Sequence, residues 1–108
     1  MNHLKTIESL FNSSLSKDEI KKFIVMQEDD KKYSILKVFK KNWSLVDLYV
    51  IYYYYRNSNR LVKCKDEKDH VNTYGREDIL KNIIFQSDDL KEIKMKIPTI
   101  INTIKFNI

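Results

Sequence analysis

The sequence predicts an α+β fold in which a three-stranded antiparallel meander in the middle of the chain packs against two N-terminal and one or two C-terminal helices. Three observations predict it. Apolar residues recur at helical spacing near both ends, the stretch from Tyr33 to Tyr55 is dense in β-branched and aromatic residues, and turn-forming clusters separate these blocks at hairpin distances. With 108 residues, 43% of them hydrophobic and 32% charged, the chain has the size and composition of one globular domain spanning residues 1–108.

The N-terminal part reads as two helices. His3 to Asn12 places Leu4, Ile7, Leu10 and Phe11 on one helical stripe. Ser16 followed by Glu19 has the spacing of a capping box, in which each side chain satisfies the other residue's free backbone N–H, and Leu15 and Ile20 are spaced as its hydrophobic staple. The helix it starts would carry Ile20, Phe23 and Ile24 to a core and run to about Met26, before the polar Gln27–Asp30 turn.

The middle reads as strands Tyr33–Phe39 and Trp43–Tyr55 joined through Lys40-Lys41-Asn42, then an Asn57-Ser58-Asn59 turn and a short strand Leu61–Cys64. Strict alternation along Trp43–Tyr55 sends Trp43, Leu45, Asp47, Tyr49, Ile51, Tyr53 and Tyr55 to one face. The other face receives Ser44, Val46, Leu48, Val50, Tyr52 and Tyr54, the better core set.

The C-terminal part returns to helix. Lys65 to Tyr74 is polar and reads as a loop ended by Gly75. Glu77 to Phe85 puts Ile79, Leu80, Ile83 and Ile84 on one stripe, with Glu77 and Asp78 in the first turn where the helix dipole favours acids. Ser87 with Asp88 and Asp89 reads as the cap of a last helix through Leu90, Ile93 and Ile97, interrupted at Pro98. Beyond it, residues 99–108 fit a helix using Ile100, Ile101 and Ile104 as well as an edge strand using Ile104, Phe106 and Ile108.

Composition excludes several function classes. A single glycine leaves no Gly-rich phosphate loop, which removes the nucleotide-dependent enzymes, and no cofactor is indicated. The lone Cys64 can form no internal disulfide, the N-terminus lacks a signal-peptide pattern, and the apolar run Leu45–Tyr55 is too short to span a bilayer. A cytoplasmic protein without membrane association is the expectation. Potential metal ligands and a general base gather only in Asp66-Glu67-Lys68-Asp69-His70, where sequence neighbours in a polar loop read as a solvated charge run; no metal or catalytic set is assigned.

The net charge is +5, but lysine (17) greatly outnumbers arginine (3) and alanine is absent, a skew that follows AT-rich codons as well as any ligand. Position is more informative than the total. Residues 1–30 carry −2, 31–65 carry +8, 66–89 carry −4 and 90–108 carry +3. Trp43, Asp47, Tyr49, Tyr53 and Tyr55, with Lys37, Lys40, Lys41, Arg56 and Arg60 around them, form a candidate aromatic and basic binding face. Asp66, Glu67, Asp69, Glu77 and Asp78 form a second, acidic one. The first pattern suits a protein partner or stacking of single-stranded bases, and it equally suits plain core packing. With catalytic groups lacking, a non-enzymatic inhibitor that covers one protein partner is expected, of the toxin-immunity or phage anti-defence kind, with a single-stranded nucleic-acid-binding module as the alternative.

Overall fold

Strands, not helices, dominate the computed structural model, which describes residues 19–65 and 71–106. Six antiparallel strands form one sheet: β1 (Phe23–Gln27), β2 (Lys32–Lys41), β3 (Leu45–Tyr55), β4 (Arg60–Lys63), β5 (Asn72–Gly75) and β6 (Phe85–Ser87). Their order is β4-β3-β2-β1-β6, with β5 also paired to β3. The described residues contain two helices, α1 (Arg76–Asn82) and α2 (Leu90–Phe106). This corrects the expected three-stranded meander with three or four helices: the meander strands β2, β3 and β4 are half of a larger sheet. The helix expected over His3–Asn12, with Leu15 and Ser16 of the capping box, lies outside the described residues.

The helix expected through Ile20, Phe23 and Ile24 is instead β1, the strand between β2 and β6. Its residues Phe-Ile-Val-Met form a short unbroken apolar run, and such a run fits a strand covered on both faces as well as a helix stripe. Neighbours decide the matter. Ile24 is buried in one core and Val25 in the other, on opposite faces of the sheet. Backbone groups just before β1 are also engaged at long range, since Gln86 Nε2 donates to the Glu19 carbonyl at 3.0 Å and Gln86 Oε1 accepts from the Lys21 N–H at 2.8 Å. Gln86 is fully buried on the edge strand β6. Replacing it with leucine strands both backbone partners and should lower stability by about 1–3 kcal/mol, read by urea denaturation.

Two further expectations change for reasons of pairing. Within the expected loop Lys65–Tyr74, Asn72–Thr73–Tyr74–Gly75 is a strand, although its sequence has little strand character. The eleven-residue β3 is matched by β4 only from Tyr52 to Tyr55, and β5 takes the remaining edge at Leu45–Leu48. The helix expected over Glu77–Phe85 stops at Asn82, because Ile83 turns extended and Phe85–Ser87 pairs with Phe23–Val25.

Helix α2 continues through Pro98 to Phe106, which decides residues 99–106 in favour of helix. Asp89 caps it, its carboxylate accepting from the Lys91 N–H at 3.0 Å while Ser87 Oγ accepts from the Asp89 N–H at 3.0 Å. An internal proline costs about 3 kcal/mol. Ile93, Ile97, Ile100 and Ile101 are all buried against the sheet, and at about 1.5–3 kcal/mol each their burial outweighs that cost.

The two helices cover opposite faces. Against α2 lie Val25, Tyr33, Ile35, Tyr49, Ile51, Tyr54 and Phe85; against α1 lie Ile24, Leu36, Val46 and Leu48. Two bulges in the β2–β3 pair set this distribution. Ile35 pairs with Tyr52 but Leu36 pairs with Val50, so Ile51 is an extra residue; Val38 pairs with Leu48 and Lys40 with Asp47, so Phe39 is another. An extra residue reverses the alternation beyond it. Tyr49 and Ile51 therefore share the α2 face with Tyr52 and Tyr54, while Tyr53 and Tyr55 fall on the α1 face. The single aromatic face expected from strict alternation is divided between the two sides of the sheet.

The β3–β4 turn lies where Asn57-Ser58-Asn59 places it. Asn59 adopts a positive φ of 53°, and its side-chain oxygen accepts from the Tyr54 hydroxyl. Burial, with the neighbouring Tyr33 phenol as a smaller contribution, raises the Tyr54 pKa above 10.0. The raised value means that the unfolded chain ionises first. The stabilisation is complete below about pH 10 and is lost as pH rises through the folded value. Tyr54→Phe should flatten that alkaline loss in thermal melts between pH 9 and 11.

Candidate interaction surface

Each helix leaves one end of its face open among the described residues, and the two open ends lie diagonally opposite. On the α2 face, register places Thr73, Asp47 and Lys40 in one row across β5, β3 and β2, and Tyr49, Lys37 and Phe23 in the next. The first of these rows lies outside the α2-side core, and the second joins it through Tyr49 and Phe23. On the α1 face, the far rows are Tyr53 with buried Ser34 and exposed Val62, then Tyr55 with Lys32 and Arg60.

The first open end continues into the tip of the β2–β3 hairpin. The turn is Asn42-Trp43-Ser44, one step later than the Lys40–Asn42 connection expected, so Trp43 sits on the tip and not in a strand. The Asn42 side-chain oxygen accepts from the Ser44 N–H at 2.9 Å and the Leu45 N–H at 2.7 Å, and the Asn42 N–H donates to the Leu45 carbonyl at 2.9 Å. Arg76 at the start of α1 braces the turn, its N–H donating to the Ser44 carbonyl at 2.9 Å. The tip is therefore fixed while its side chains stand in solvent: Trp43 is 87% exposed, Phe39 63% and Leu45 47%. The bulge at Phe39 accounts for that residue's position, its ring lying 6.4 Å from the ring of buried Tyr49.

The charged groups are arranged by side. Lys37 and Lys40 are exposed on the α2 face, and Asp47, opposite Lys40 on β3, is engaged by the Thr73 hydroxyl at 2.5 Å. Across the tip, a cleft of about 320 Å³ brings Trp43 together with Glu77 and Asp78 of α1. The exposed indole thus flanks the acidic first turn of α1, while the basic strip lies on the other face of the sheet.

The remaining sequence-predicted residues fall elsewhere. Lys41 points to the α1 face, where its ammonium donates to the Ile20 carbonyl, a structural role. Tyr49 is 4% exposed and belongs to the core. Tyr53 and Tyr55 are half-buried, and Lys32 sits over both rings, 4.2 Å and 5.9 Å from their centres. Arg60 on β4 is opposite Tyr55, and Arg56 lies in the β3–β4 turn with its N–H donating to the Lys31 carbonyl. Asp66, Glu67 and Asp69 lie outside the described residues, as does His70. Cys64 is a half-buried free thiol.

Sequence reasoning passed over Phe39 and Leu45 as site residues. Phe39 and Leu45 look like ordinary strand hydrophobics, and only the bulge and the hairpin end reveal their exposure. Among the described residues, no group of three or more His, Cys, Asp or Glu side chains is placed to hold a metal, and no helix is long and apolar enough to cross a membrane. The chain matches no known protein-family model, no curated protein and no solved structure.

Proposed function

We propose that this protein is a non-catalytic, stoichiometric binder of another protein, a cytoplasmic inhibitor of the toxin-immunity or phage anti-defence type. The observation that carries this reading is the end of the β2–β3 hairpin, where Trp43 on a turn locked by Asn42, and Phe39 and Leu45 in the strands leading to it, are all exposed, with Lys37 and Lys40 exposed on β2. Large apolar anchors with a charged rim are the composition of binding hot spots, and a rigid turn lowers the entropy lost on docking. The basic strip and the Glu77–Asp78 turn orient the encounter and reject partners of the wrong polarity.

The second reading, a single-stranded nucleic-acid module, is favoured by one feature: Lys32, Arg60, Tyr53 and Tyr55 cluster on the open end of the α1 face. Its weakness is that Lys32 occupies the Tyr53 ring and Tyr49 is buried, so the three tyrosines do not form a continuous stacking platform.

Affinity capture from the source organism with and without nuclease, followed by native mass spectrometry, tests the two. The expected result is a nuclease-resistant complex of fixed stoichiometry with one protein, slowed in association by Lys37→Glu or Lys40→Glu. Recovery of nucleic acid alone, with affinity falling on the order of 10³-fold between 50 and 200 mM salt and abolished by Lys32→Glu, would replace this reading with the second.

A further inference from the structure

A groove of about 300 Å³ opens on the α2 face. Tyr49, Ile51 and Tyr52 form its floor, Leu90 at the start of α2 closes one end, and Lys37 and Lys63 stand on its two sides. The bulge at Ile51 makes this floor, because it turns Tyr52 to the same face as Tyr49. Lys37 is on β2 opposite Tyr49 and Lys63 on β4 opposite Tyr52, so their backbones are separated by about 10 Å across the sheet and by roughly 7–10 Å along it. Tyr52 is also engaged from α2 by Lys94, whose Nζ lies 3.1 Å from its hydroxyl and 4.6 Å from that ring's centre.

These cations are unneutralised among the described residues. The acids nearest in sequence to the groove are committed elsewhere. Asp88 accepts from the Lys22 N–H, Asp89 caps α2, Glu92 pairs with Lys96 at 3.9 Å, and Asp47 accepts from Thr73. Two ammonium groups flanking an apolar and aromatic floor select for an anion carried on an apolar body.

We propose that this groove receives a carboxylate-bearing aromatic or aliphatic segment of the protein partner, an acidic peptide stretch docking on the α2 face. The inference rests on the protein-binding reading above and specifies the chemistry of the partner's surface. The volume accommodates one or two side chains, and the lysines on either flank let the carboxylate be reached from both sides while the floor takes the apolar portion.

Phenylacetate, which joins a carboxylate to a ring, is the probe, titrated into the ¹⁵N-labelled full chain with amide shifts read by NMR. Saturable shifts are expected at Lys37, Tyr49, Lys63 and Leu90, reduced at least about tenfold in affinity by Lys37→Gln with Lys63→Gln. Equal shifts with phenethylamine, or an unchanged titration in the double variant, would overturn the proposal. Inorganic phosphate binding the same amides as tightly as phenylacetate would also overturn it, by making the groove a simple anion site. Both lysines are exposed, so the double variant keeps its fold, and its thermal melt verifies this. In the captured complex, the double variant should weaken association by about tenfold or more. A complex that resists it but breaks with Trp43→Ala removes the groove and leaves the binding reading standing. Absence of any protein complex removes the reading instead, and the phenylacetate titration still decides the groove.

Discussion

Trp43→Ala is expected to weaken the partner complex by roughly 30-fold or more, the cost of truncating a binding hot spot of about 2 kcal/mol or above. A tryptophan side chain that is 87% exposed before binding has nearly all of its apolar area left to bury. At about 25 cal/mol per Å², that area supplies several kcal/mol, of which ordering costs take only part. The turn beneath it is already fixed by three hydrogen bonds through Asn42, so little backbone freedom is lost on docking. Because the ring packs little in the free protein, folding stability should stay within about 0.5 kcal/mol of the wild type. Isothermal calorimetry on the captured partner and urea denaturation of the free variant measure the two quantities. An affinity within threefold of the wild type would show that the tip is not the anchor.

Tyr49→Ala and Tyr53→Ala are expected to differ sharply in folding stability, although strict alternation places both residues on one outer face. Tyr49 is buried beside Ile51 in the α2-side core, and truncating a large buried aromatic costs about 3–5 kcal/mol through lost transfer energy and the cavity left behind. In a domain whose whole stability is about 5–15 kcal/mol, that loss is visible as a large shift of the urea midpoint. Tyr53 lies beyond the bulge on the opposite face, half-exposed, with Lys32 over its ring. Its truncation should cost about 0.5–1 kcal/mol, the value of an exposed cation–π contact. Equal losses for the two variants would mean that the register does not shift at Ile51.

The residues that read most clearly in sequence were those whose structure depends on near neighbours. The Asn57–Asn59 turn follows from side chains that tolerate a left-handed backbone, and Asn59 adopts one. Ser87 to Asp89 cap α2 by bonds spanning only two residues. The strand character of β2 and β3 comes from β-branched and aromatic density within each segment. The candidate site was legible in part. Trp43 sits on the tip, with Lys37 and Lys40 exposed on β2, while Tyr53 and Tyr55 required a face assignment that one extra residue reverses.

Local chemistry in this sequence thus determined where the chain turns, which segments carry strand or cap signals, and how charge is distributed along it. Tertiary structure alone decided the rest. Phe23–Gln27 became a strand because β2 and β6 pair with it on both edges, and Asn72–Gly75 because β3 had an unmatched edge to offer. The bulges at Phe39 and Ile51 exist only in the pairing of β2 with β3, and they divide the tyrosines between two faces. The physical reason is common to these cases: a strand's partners and register are set by backbone hydrogen bonds and burial between segments far apart in the chain, and no window of sequence contains both sides of such a bond.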